Sequence, residues 1–155
     1  MNIKLTPILL LSLSTLTAHP AIAQVIPDNT LPVNSQITPI PNGVIIDKGT
    51  QSGTNLFHSF SSFSLPRGEV AIFNNNQNTH NIITRVTGTD SSLINGIIQA
   101  NGKANLLFIN PNGIVFGSEA RLLIGGAFLG TTANNFIFPH GQLFGRNTPD
   151  INLII

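Results

Sequence analysis

The sequence predicts an all-β protein built from short strands, and three observations carry that prediction. Short apolar bursts recur along the chain, and nearly every gap between them holds the turn formers Gly, Asn, Ser or Pro. No window keeps the helical i, i+3, i+4, i+7 spacing over three turns without meeting Gly or Pro. Charged residues are only 8% of the 155, against roughly 25% in ordinary domains. Long charged helix formers are therefore scarce, while 19 Asn and 14 Gly supply corners and turns.

The first element, residues 1–23, reads as a secretory signal peptide. Lys4 gives a positive start, Leu5 to Leu16 an apolar stretch, and Ala21-Ile22-Ala23 the small-residue cleavage pattern. The apolar stretch is shorter than the about 20 residues that span a bilayer, so a cleaved leader is expected rather than an anchor. The mature chain would begin at Gln24 with six basic and six acidic residues. Residues 24–43 hold Pro27, Pro32, Pro39 and Pro41 and read as irregular chain or edge strand, because proline removes a ladder donor. Residues 44–155 carry the bursts: Val44–Ile46, Val70–Phe73, Ile82–Val86, Ile97–Ile98, Leu106–Ile109, Ile114–Phe116, Leu122–Ile124, Ala127–Leu129, Phe136–Phe138 and Leu143–Phe144.

These bursts are shorter than sandwich strands and recur every seven to ten residues in the second half. A shift of 22 places sets Asn112-Gly113-Ile114-Val115-Phe116 over Asn134-Asn135-Phe136-Ile137-Phe138, and Leu122 over Phe144. Three short strands per coil of about 22 residues is the arithmetic of a parallel β-helix. In such a fold each strand pairs with its equivalent one coil away, inward residues stack like on like, and corner asparagines can stack as an amide ladder. The run Asn110-Pro111-Asn112-Gly113 has the preferences of a type I turn, with Gly113 free to take positive φ. A rigid turn feeding a buried strand accounts for these residues as they stand. Asn42-Gly43 and Asn95-Gly96 precede β-branched pairs in the same way.

The run from Asn105 to Gly117, NLLFINPNGIVFG, resembles the N-terminal secretion domain of filamentous-haemagglutinin-type exoproteins, the two-partner secretion (TPS) passengers, particularly cyanobacterial ones. Supporting matches are Gly53 to Phe63, Ile82 to Gly88 and Gly125 to Phe128. The resemblance implies a right-handed, pectin-lyase-like parallel β-helix with an N-terminal cap, and a secretion role without catalysis. It implies recognition in the periplasm by the POTRA domains of an outer-membrane TpsB-type β-barrel transporter, then release to the medium or the cell surface. By position, Asn110, Pro111, Asn112, Gly113 and Ile114 carry over as the NPNGI element. The family's NPNL signature falls near Asn74, Asn75 and Asn76, where its Pro and Leu are missing. Family domains run longer than this chain, so the helix is expected to be incomplete at its C-terminal end and to associate end to end. Ile151 to Ile155, behind the lone charge of Asp150, would strengthen that tendency.

Composition narrows the alternatives. The seven Lys and Arg are scattered, so no basic run exists for nucleic acid. No cofactor site and no stable membrane insertion are expected. Absence of Cys suits a chain that must stay extended during export, and equally a fold that needs no cross-link. A polysaccharide-acting β-helix enzyme is the main rival, and it would need converging carboxylates or metal. Glu69 and Asp90, 21 residues apart, lie near one coil length. His58, His80 and His140 share no metal-binding spacing, and Ser59 and Ser61 beside His58 do not make a triad. Phe57, Phe60 and Phe63 read as core or cap packing. A surface adhesin fragment is the third reading, but no Trp or Tyr is present to stack on sugar.

Overall fold

Alternation along the strands builds this molecule, and β7 (Asn81–Val86) shows how. Ile82, Thr84 and Val86 point to one side of the strand, and Ile83 and Arg85 to the other, as the period of two requires. The first set enters the main core with Phe60, Phe63, Phe73, Leu106 and Phe108. The second enters a separate cluster on the outside of the same sheet. The computed structural model describes residues 24–148, and the leader with Ala21 and Ala23, and Asp150 to Ile155, lie outside the described residues.

Three parallel stacks form the walls. The first runs β5 (Asn55–Ser64), β7, β10 (Asn105–Ile109) and β13 (Phe128–Thr131). The second runs β3 (Gly43–Lys48), β6 (Val70–Phe73), β9 (Ile97–Ala100) and β12 (Arg121–Leu123). On the third, β8 (Ser92–Ile94) pairs with β11 (Ile114–Phe116), and Leu65 bridges to Ile94. The chain is thus a parallel β-helix of about four turns. Coil length varies from 27 residues near the start to 22 near the end, where a uniform value of about 22 was expected. Longer early corners absorb the difference, and Pro66 to Glu69 is one of them.

Inward residues stack largely like on like. Leu56 lies under Ile82, Leu106 and Phe128, and Val44 under Ala71 and Ile98. Phe60 and Phe63 are fully buried in this core, so each contributes about 2–3 kcal/mol of burial. At the N-terminal end the stacking direction changes. The strands β1 (Gln24–Pro27) and β4 (Thr50–Ser52) pair antiparallel with the free edge of β5, and β2 (Ser35–Ile40) pairs antiparallel with β3. The Pro-rich segment thus supplies two edge strands. Pro39 sits within β2, where a missing N–H on the outer side leaves no ladder bond unmade.

The offset that placed Phe136–Phe138 over Ile114–Phe116 does not describe the next coil. Strand β14 (Asn135–Ile137) pairs antiparallel with β15 (Leu143–Gly145) across a 3-10 turn at Pro139–Gly141. This hairpin lies against the outer face of the first stack. Phe57 and Ile83 already present an apolar surface there, and Phe144 completes it, with edge-on contacts from Phe144 and Phe138 to Phe57. Burial on an existing apolar face wins over continuing the solenoid. Among the described residues, β11, β12 and β13 each pair on one side only.

Candidate functional site

The NPNGI element forms the corner between β10 and β11. The Gly113 amide donates to the Asn110 carbonyl at 3.0 Å, closing the turn, and Gly113 takes φ 117°, which a side chain would resist. Asn110 is fully buried, and its amide is used at both ends. Its Nδ2 donates to the Asp90 carbonyl at 3.1 Å and to Ser92 Oγ at 3.0 Å. Its Oδ1 accepts from the Asn112 backbone N–H at 3.0 Å and from Asn112 Nδ2. Asn112 reaches one coil back, donating from Nδ2 to the Gly88 carbonyl at 2.7 Å, while its Oδ1 accepts from Arg146 Nη1 at 2.9 Å. Pro111, Asn112, Gly113 and Ile114 are half-buried. The corner is a clamp joining two coils and the hairpin, and its polar atoms are committed inside the fold.

The Asn74–Asn76 position is built differently. Asn74 donates to Asp47 Oδ1 at 2.8 Å and accepts from Asn101 Nδ2 at 3.1 Å, so one carboxylate and two amides run along the surface at a 27-residue interval. Asn75 is buried and binds the Asn101 backbone on both sides, accepting its N–H at 2.8 Å and donating to its carbonyl at 3.0 Å. The exposed Asn76 accepts the Asn78 N–H. A second ladder runs from Asn105 through Asn81 to Asn55, with amide-to-amide bonds of 2.9 and 2.8 Å, and Asn105 Oδ1 caps it by accepting the Ala127 N–H. The asparagine excess therefore stitches coil to coil, as the corner ladders required.

One constellation was not legible as a site. Arg85 projects from the outer face of β7, almost wholly buried. Its Nε donates to Ser59 Oγ at 2.8 Å and its Nη2 to Thr30 Oγ1 at 2.7 Å. Its Nη1 donates to the Gly145 carbonyl at 2.7 Å and the Thr148 carbonyl at 2.9 Å. The guanidinium carbon lies 4.7 Å from the Phe144 ring centroid, a cation–π contact. Asp28 accepts from Ser59 Oγ, Thr87 Oγ1 and the Thr30 N–H and hydroxyl. Burial alone would raise the Asp28 carboxyl, but the hydroxyls of Thr30, Thr87 and Ser59 outweigh it and hold it below its ordinary value. Burial pushes the Arg85 guanidinium below its ordinary value, opposed by the charge of Asp28. The signals were a single Arg inside an apolar run and a single Asp inside the Pro-rich segment.

The catalytic rival gains nothing from the geometry. Glu69 precedes β6 in the second stack, whereas Asp90 precedes β8 in the third. Register pairs Val70 with Ile97 and Ser92 with Ile114, so the two carboxylates sit at different corners and do not stack. Ser59 is buried and engaged with Asp28 and Arg85. His58 faces the main core, with Nδ1 2.9 Å from Ser35 Oγ and, among the described residues, no partner for Nε2. Burial pushes its pKa down to about 3, so the ring is neutral. His80 is exposed, immediately before β7.

A capped parallel β-helix with asparagine-stitched corners and an NPNGI clamp defines a solenoid module. A family model described as the TPS secretion domain matches residues 23–155, so the chain belongs to that family. It is a module of a two-partner secretion exoprotein, and such a domain has in general a TpsB-type transporter as partner. No curated protein matches the chain.

Proposed function

We propose that the chain crosses the inner membrane behind residues 1–23, which are removed after Ala23, and is recognised in the periplasm by the POTRA domains of a TpsB-type barrel. The barrel then exports it to the medium or the cell surface. Asn110, Pro111, Asn112, Gly113 and Ile114 are the principal recognition element, and Asn74, Asn75 and Asn76 a weaker one. The observation that carries this reading is the full internal use of Asn110 and Asn112. Their amides are available to a partner only while the chain is extended, and extended chain offers strand edges that a transporter domain can pair with. Folding outside the cell, by withdrawing those amides, gives export a direction without ATP. The domain itself acts on no substrate.

The test is co-expression with the cognate barrel in a Gram-negative host. Wild-type chain should reach the medium only when the barrel is present, and Asn110→Ala with Asn112→Ala should retain it in the periplasm. Export without the barrel, or unchanged export of the double variant, overturns the reading. Among the described residues the outer edges of β11 to β13 are unpaired, with Phe116, Leu123 and Leu129 exposed beside them, and this also favours end-to-end self-association. Light scattering at micromolar concentration should then show oligomers, and a monodisperse monomer would contradict this.

A further inference from the structure

The Arg85 cluster joins three parts of the sequence that are far apart. Thr30 and Asp28 come from the segment after β1, Ser59 and Arg85 from the first two rungs of one stack, and Gly145 and Thr148 from the end of the hairpin. The guanidinium divides its nitrogens among them: Nη2 to the N-terminal segment, Nε to β5, Nη1 to residues 60 and 63 positions later. A buried cation needs all its donors filled, because an unpaired buried charge costs far more than an exposed one. Without Gly145 and Thr148, Nη1 has no acceptor among the described residues, and Phe57 and Ile83 lose the cover of Phe144.

We propose that the hairpin is the closing half of a latch. The Asp28–Thr30 segment and the Gly145–Thr148 segment lock onto different nitrogens of one guanidinium, so neither end seats fully without the other. β1 lies on the outer edge of β5, and the hairpin on the outer face of β5 and β7. Among the described residues Arg85 is the one cation in the cluster, and Asp28 is its counter-charge, joined to it through the hydroxyls of Ser59 and Thr30. The latch also bears on the recognition corner, since Arg146 of the hairpin donates to Asn112. For a chain emerging N-terminus first, closure of the first rungs waits for residues out to Thr148. That consequence rests on the export reading, whereas the coupling of the two ends does not.

Hydrogen–deuterium exchange of the mature chain tests the coupling without a transporter. Arg85→Met removes the whole centre and can abolish folding, so the informative variants are peripheral. Thr148→Val deletes a hydroxyl that accepts from Arg85 Nη1 and from the Gly145 N–H. It should accelerate exchange at least threefold at Val25, Ile26 and Asp28 as well as in residues 143–145. Asp28→Asn should reciprocally accelerate residues 143–145, since coupling between two sites acts equally in both directions. Strand β9, on another wall, should change less than threefold in both variants. Acceleration confined to the substituted end, or equal acceleration that includes β9, overturns the latch.

Discussion

Two asparagine corners of the same solenoid solve different problems. At Asn110–Gly113 the side chains turn inward, and Asn110 has no exposed surface. At Asn74–Asn76 the outer residues stay at solvent, and Asn74 passes hydrogen bonds from coil to coil. The first is a clamp whose hydrogen-bonding capacity vanishes on folding, and the second is a ladder that keeps an edge available. A partner that reads the extended chain therefore gains most from the first, and one that reads folded coils from the second.

The largest expected effect breaks the clamp. Asn110→Ala strands the buried Ser92 Oγ and the partly buried Asp90 carbonyl and Asn112 N–H, and should cost about 3 kcal/mol in urea unfolding. A loss below about 1 kcal/mol would mean the corner does not hold the coils together. Acid sharpens the comparison by perturbing the core first. His58 has a folded pKa of about 3 against 6.5 unfolded, so the unfolded chain binds the proton first. Stability should fall as pH drops below 6.5, by about 1.4 kcal/mol per unit and about 2 kcal/mol at pH 5. His58→Phe should flatten that slope. The depressed Asp28 carboxyl adds a further loss only as pH falls through and below the ordinary carboxylate range.

Smaller effects separate the residues of the ladder corner. Asn75→Ala removes both bonds to the Asn101 backbone and should cost about 1.5 kcal/mol by denaturant midpoint. Asn74→Ala cuts an exposed ladder and should change stability by less than about 0.5 kcal/mol. Equal losses at Asn74 and Asn110 would erase the distinction between ladder and clamp.

Much of the architecture was legible because strand period and turn chemistry are local. Val70–Phe73, Ile82–Val86 and Leu106–Ile109 became strands where their apolar runs stood, and the Asn-rich gaps became corners. The sequence sets the hairpin as another coil, since Phe136 and Phe138 carry the same local pattern as a rung. What directs them outward is the apolar exterior of Phe57 and Ile83, a property of the assembled sheet. Strand β5 is not among the apolar bursts of the sequence, because Ser59 and Ser61 break up its apolar signal while Ser59 serves the polar cluster. Arg85 stood out in the sequence as part of a family-like run, but its partners lie up to 63 residues away, and spacing alone cannot find them. The NPNGI residues were found by their pattern, and their burial could be seen only once Asp90, Ser92 and Gly88 were brought beneath them.

The central claim is that the NPNGI element is read before the coil closes. Its most direct test is binding of the isolated chain to the purified periplasmic domains of the cognate transporter, comparing freshly diluted unfolded chain with prefolded chain. The account predicts that unfolded wild type binds at least tenfold more tightly than folded wild type, and that Asn110→Ala with Asn112→Ala removes this advantage. Equal binding of folded and unfolded chain, or an unfolded double variant that binds as wild type does, would contradict it.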